Sequence, residues 1–487
     1  MNAFRLPLAA LLLALLSTGA RAQTIADATT RPAATPSTSE AAAPAVADPA
    51  AEPADNGDAT DIRVLFPNLR PPDRRGLNVF ESPKSDADRL TGGEPRLRLG
   101  AAFAQQFQAL DHTNTAAEVL VAGTGGAQVN ANQLMDIGPG FNNATANLTL
   151  DALLTDGIHV NLTTYLSARH HNEAWVKGGY LQVDALPFFH NATVDQLMQY
   201  VTLRLGHFEV NYGDAHFRRS DNGNALYNPF VGNYIMDAFT TEIGGDLLVR
   251  RAGVFGMVGV TSGEIKGDIT NPDGRSLAFL GKVGIDRQVT SDLRVRLTGS
   301  MYRNTNAGRN TLYRGDRAGS RYYLVLENTA ATTAAQAWSG LFDPGFTEDI
   351  SAFMVNPFVK FHGLELFGTY EHASGRAASE AEEIGRSWSQ FAVDGVFRFL
   401  PDEQAYLGAR YNVAWGSLMG AATDGQVTAA GADVSIARYE IGAGWYPTRN
   451  LLLKAEYVRQ DYRDFPGTDI RNGGEFNGFM VEGVVSF

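Results

Sequence analysis

The chain has 487 residues, 44% of them hydrophobic and 19% charged, with a formal charge of −13 and no cysteine. The lack of cysteine excludes disulfide stapling and thiolate metal sites, and the acidic balance argues against a nucleic-acid partner, which would require a basic face. Of 40 Lys and Arg residues only six are Lys, so arginine carries most of the positive charge.

Arg5, the apolar run Leu6–Leu16 and the small residues Ala20 and Ala22 before Gln23 predict a secretory signal over residues 1–22. A transmembrane anchor competes weakly, because a run of 11 apolar residues falls well short of the roughly 20 that span a bilayer as a helix. Residues 23–60 are rich in Ala, Pro, Thr, Ser and acids and read as a disordered tether. Residues 61–94 hold a few apolar anchors among many Pro and charges and read as a periplasmic arm.

From Pro95 the pattern changes to period two. Leu97, Leu99, Ala101, Phe103 and Phe107 fall on one face, with Arg96, Arg98, Gln106 and Gln108 on the other. Thr145, Asn147, Thr149 and Asp151 likewise alternate with Ala146, Leu148 and Leu150, and an Asp156-Gly157 turn leads into a further alternating run. Sixteen candidate strands follow, starting near residues 95, 141, 158, 175, 198, 239, 253, 276, 292, 349, 364, 387, 404, 433, 450 and 475. Short connections alternate with long ones, and an even number of such strands with loops sorted by length predicts an all-β, antiparallel transmembrane barrel over residues 95–487. Lipid offers no partner to backbone N–H and C=O groups, so an exported β-chain in a membrane must close on itself. Tyr411, Trp415, Trp445 and Tyr446 near strand ends suit interfacial girdles.

The face opposite the aliphatics carries Arg204, Lys282, Arg294, Arg296, Arg410, Arg438, Glu440, Lys454 and Glu482. Burying so many ions in a dry interior is costly, so the pattern predicts a wide, water-filled lumen.

Several motifs invite chemistry. The Gly-rich stretch Ala122–Gln128 lacks the Lys-Ser/Thr of a phosphate cradle and reads as a turn. The sequons at Asn143, Asn147 and Asn161 sit within strand alternation, where they line water; a fourth is at Asn191. His170 and His171 with Glu173 read as solvated loop residues ahead of a metal site. No nucleophile with an oriented base stands out, so the reading calls for no catalytic residue, no metal and no cofactor.

The segment Gly206–Phe230 concentrates His, Arg, Asp and Tyr without helical or strand period, and the strand count makes it the third long loop. Together with "YVTLRLGHFEVNYG", "NPFVKFHGLELFGTYE" (Asn356–Glu371) and "YLGARYNVAW" (Tyr406–Trp415), this resembles the phosphate-selective porin O and P superfamily over roughly residues 95–487. The resemblance implies passive diffusion through trimeric pores narrowed by an inward-folded third loop, in the outer membrane of a Gram-negative-type bacterium with its lipid and lipopolysaccharide. The final strand ending on Phe487 resembles the terminal aromatic signal read by the barrel-assembly machinery.

In that frame Arg218, Arg219, Asp214, Asp221, His216 and Tyr227 form the pore constriction, with Arg204, Arg294, Arg296, Arg410 and Arg438 on the lumen wall. Phosphate selectivity in the superfamily relies on basic residues, Lys prominent. The mixed charge of this loop instead predicts a transverse field that orients polar solutes. Two alternatives stand beside it: an anion- or phosphate-selective pore, and a structural or adhesive barrel plugged by residues 61–94 or by the long 304–348 loop. Pairing of Arg218 and Arg219 with nearby carboxylates, tethering the loop, is the simpler reading of that pair.

Overall fold

A computed structural model describes Phe66 and residues 68–84, 95–123, 127–166, 175–265, 276–315, 321–336 and 339–487. The expected signal peptide and tether, and the His170, His171 and Glu173 group, lie outside the described residues, as does the centre of the Gly-rich stretch.

Sixteen strands form the wall. They are β1 (Arg96–Thr113), β2 (Thr145–Thr155), β3 (Ile158–Leu166), β4 (Trp175–Val183), β5 (Val201–Glu209), β6 (Thr241–Arg251), β7 (Val254–Thr261) and β8 (Ala278–Gln288). They continue as β9 (Leu293–Asn304), β10 (Asp349–Phe361), β11 (Leu364–Arg376), β12 (Arg386–Phe399), β13 (Ala405–Met419), β14 (Ala430–Thr448), β15 (Leu451–Arg463) and β16 (Glu475–Ser486). Each pairs antiparallel with its sequence neighbour, and β1 pairs with β16 from Ala102↔Ser486 to Thr113↔Glu475, which closes the sheet. All sixteen expected strands are present. Closure removes both sheet edges, the condition for a β-structure in lipid.

The strand period sets an inverted burial pattern. Aliphatic and aromatic side chains face outward, with Val283 63%, Ile441 65% and Phe479 62% exposed, while charged residues of the same strands are buried inside. Trp415 and Trp445 each stand outward near the C-terminal end of their antiparallel strands, hence at opposite ends of the barrel, and Phe361, Phe399 and Phe487 join the girdle at the end where the chain terminates. A closed barrel with an outward apolar band and aromatic rims is an outer-membrane barrel in class. Tyr446 departs from the expected girdle. It follows Trp445, so the pleat turns it inward, where its hydroxyl donates to the Leu226 carbonyl at 3.2 Å.

The expectation of a wide, water-filled lumen is corrected. The inner charges meet their counter-ions directly across the strands, because the register places opposite signs side by side. Asp394 and Arg410 are Cα partners joined at 2.7 Å, Lys454 and Glu482 at 2.7 Å, and Asp286 and Arg296 at 3.0 Å. Three inserted segments then cover most of these pairs: the third loop (210–240), the fifth loop (305–348) and the arm (68–84). Sequence period shows which face is polar and says nothing of what the loops later lay against it.

Candidate functional site

The third loop crosses the lumen and docks on the far wall. Its Asp214 lies between Arg296 and Lys282 at 2.8 and 2.7 Å, and its amide donates to Asn356 Oδ1 at 2.8 Å. Further on, Val231 N–H donates to Glu456 at 2.7 Å, Met236 N–H to Gln390 Oε1 at 2.8 Å, and Lys454 Nζ to the Phe230 carbonyl at 2.8 Å. The loop has no regular structure beyond a single 3₁₀ turn at Ala215–Arg218. Wall side chains therefore satisfy backbone groups that a helix or sheet would satisfy internally. On the opposite side Gly223 abuts β1, where a Cβ would stand 2.3 Å from the Ala102 carbonyl oxygen, so only glycine fits.

The fifth loop fills the half of the lumen beside β10–β16. Tyr322 Oη lies 2.9 Å from Glu440 and 2.7 Å from Glu456, and Tyr313 donates to Glu371 at 2.6 Å. Arg321 pairs with Glu482 at 3.1 Å, and Phe342 stacks on Trp388 with ring centroids 3.8 Å apart.

The arm follows the inner circumference at the end of the barrel that holds the short turns. Arg74 N–H donates to the Arg449 carbonyl in the β14–β15 turn at 2.9 Å. Asn78 donates to Glu365 of β11 at 2.5 Å and its carbonyl accepts from Arg294 of β9 at 3.0 Å. Glu81 pairs with Lys282 and Arg296 at 3.0 and 2.8 Å. Lys84 reaches Asp184, just after β4, at 3.1 Å and the Val201 carbonyl of β5 at 2.7 Å.

Among the described residues, a cavity of about 330 Å³ lies between the β1–β6 wall and the inserted segments. It extends along β5 from Thr202 to Glu209 and along β6 from Arg250 to Thr241, a strand path of roughly 23 Å at about 3.3 Å per residue. Its lining holds six Arg or Lys and four Asp or Glu. Several of these are already paired: Arg204 with Asp246, through Nε at 3.0 Å, and Lys177 with Asp221.

The expected constriction residues divide between this cavity and the packed interior. Arg219, Asp221, His216 and Tyr227 line the cavity, with Arg204 on the wall. Asp214 and Arg218 are buried away from it: Arg218 contacts Glu365 at 3.4 Å and Asn78 of the arm. Arg219 forms a two-point pair with Asp237 of its own loop, at 2.8 and 2.6 Å. Arg294, Arg296, Arg410 and Arg438 sit on the inner wall as expected, but beneath the inserted segments. Glu81 and Asp214 share Arg296 and Lys282. Burial pushes both carboxyls up, yet the two cations outweigh it and hold them below the usual carboxylate range.

Sequence reasoning missed Arg98, Lys177 and Tyr180, which line the cavity from β1 and β4, and Arg70, which lies over the Tyr227 ring at 3.6 Å. The signal for Arg98 was present, since it falls on the polar face of β1, whereas Lys177 and Tyr180 are three residues apart and share a face only through a bulge at Lys177. What was lacking was the knowledge that loops cover the rest of the wall and leave this sector open.

No family model and no curated protein matches the chain. Among solved structures it is similar to OmpT, an outer membrane protein of Vibrio cholerae, at 12% identity and a TM-score of 0.44 over 82% of this chain and 100% of that one. It is also similar to an anion-selective porin from Comamonas acidovorans, at 9% identity and 0.44 over 81% and 100%. The outer membrane channel DcaP of Acinetobacter baumannii gives 10% identity and 0.44 over 82% and 99%.

Proposed function

We propose that the chain is an outer-membrane channel for passive diffusion of small hydrophilic solutes and ions, with the cavity beside β1–β6 as its passage. The observation that supports this best is the path of the cavity. It follows β5 from Thr202 to Glu209 and β6 from Arg250 to Thr241, with charged and hydroxyl side chains beside Phe80, Phe208 and Phe217, where a plugged structural barrel has no need of such a gap.

Arg219, Asp221, His216 and Tyr227, with Arg204, Arg98 and Lys177 on the wall, then form the narrow zone. Both signs line it, with Lys177 of the wall meeting Asp221 of the loop, and a solute must be small and polar to exchange its water for these groups. The modest excess of cationic residues supports a weak anion preference in place of strict phosphate selectivity. Membership of the phosphate-selective superfamily, and assembly as a homotrimer, remain parts of this proposal.

Purified protein in planar bilayers tests the reading. The expected result is a stable ohmic conductance well below that of an unfilled sixteen-strand barrel, with a reversal potential showing an anion preference of a few-fold. Silence at all voltages overturns the channel. Strong anion selectivity abolished by Arg219→Glu would replace the mixed-charge passage with an anion filter.

A further inference from the structure

Residues 68–84 make two kinds of contact, and their combination carries an inference that rests on the channel reading. The first kind runs around the mouth. The segment meets β4 where the Gln182 amide donates to the Asn68 carbonyl at 3.4 Å, crosses to the β14–β15 turn at Arg449, and returns past β11, β9 and β8 to end on Asp184 and Val201. It thus forms a strap across the short-turn end of the lumen, with its two ends on β4 and β5 and Arg70, Phe80 and Glu81 at the edge of the cavity.

The second kind holds the third loop. The Tyr227 hydroxyl donates to the Pro71 carbonyl at 2.5 Å, and Arg70 donates to the Phe217 carbonyl at 3.1 Å. Phe80 meets Phe217 edge-on at 5.9 Å, and Arg218 donates to Asn78. Glu81 and Asp214 lie on the same two wall cations, Lys282 and Arg296. Gly76 permits the tightest approach: a Cβ there would stand 2.1 Å from the Pro71 carbonyl oxygen and 2.8 Å from the Tyr227 ring.

We propose that residues 68–84 are the size-limiting element of the passage. They close most of its mouth, and by clamping the third loop they fix the width of the gap that loop leaves along β1–β6. The exclusion limit is then set by a segment outside the barrel strands, and the loop alone does not determine it. Arg70 and Tyr227, stacked at the cavity edge, belong one to the strap and one to the loop, so a shift of either opens the gap.

Two variants of the full chain test this: Gly76→Leu, whose side chain has no room in the docked strap, and deletion of residues 68–84, which leaves every barrel strand intact. Single-channel conductance and the uptake of neutral sugars of increasing size into vesicles are read for each. The expected result is at least a twofold rise in conductance and entry of larger sugars in both variants. An intact chain that conducts, matched by a deletion variant with the same conductance and sugar limit, overturns the inference and leaves the channel reading standing. Silence of all three chains overturns the channel reading, and this inference with it.

Discussion

At the scale of single residues, charge pairing in the lumen is governed by how much water each pair keeps. Glu365 is fully buried and serves Arg398 at 2.7 Å, Arg218 and Asn78 together. Removing it strands two guanidinium groups, so Glu365→Ala is expected to destabilise the barrel by about 3–5 kcal/mol in urea unfolding from vesicles. Lys360 and Glu403 form an equally short pair at 2.8 Å with a third of each side chain exposed, and Lys360→Ala is expected to cost below about 1 kcal/mol. Equal losses would show that the lumen is wetter than its packing implies.

The depressed carboxyls of Glu81 and Asp214 give a pH dependence with a definite sign. A folded pKa below the unfolded value means that the pairing contributes fully above the ordinary carboxylate range. It is lost only as pH falls through the lower folded value. Docking of the strap and third loop, followed by limited proteolysis with an acid-tolerant enzyme, is therefore expected to stay constant from about pH 7 to 5 and to loosen only below about pH 4. Release between pH 7 and 5 would contradict the pairing on Arg296 and Lys282.

At the scale of elements, the strands are legible in the sequence and the three inserted segments are legible as candidates to enter the lumen, but their contacts are not. Alternation such as Leu97/Arg98/Leu99 and Leu148/Thr149/Leu150 marks each strand, because one face must meet lipid and the other must not. The same rule shows Arg204, Arg296 and Arg410 to be inward. Nothing periodic, however, ties Asp214 to Arg296 or Tyr322 to Glu440 and Glu456, since those contacts join an irregular loop to a strand far away in sequence. That is why six expected constriction residues separate into four at the cavity and two beneath it. The wall itself yields a further expectation: Val283 of β8 faces outward near mid-strand, so Val283→Arg is expected to cost about 2–4 kcal/mol of barrel stability in vesicles. A cost near zero would place that position outside the apolar band.

At the scale of the whole molecule, a sixteen-strand wall encloses far more space than the cavity of about 330 Å³ along β1–β6. The third loop, the fifth loop and the strap occupy the rest, each held by groups on the wall. The account therefore makes one spatial claim: solutes travel off-axis, beside β1–β6. The chain contains no cysteine, so a single engineered thiol reports on its own position alone. Thr163 lies on β3 and lines the cavity. Modification of Thr163→Cys by a charged, membrane-impermeant thiol reagent during single-channel recording tests the claim most directly. A stepwise fall in conductance on modification is the predicted result, and a fully modified channel with unchanged conductance would contradict it.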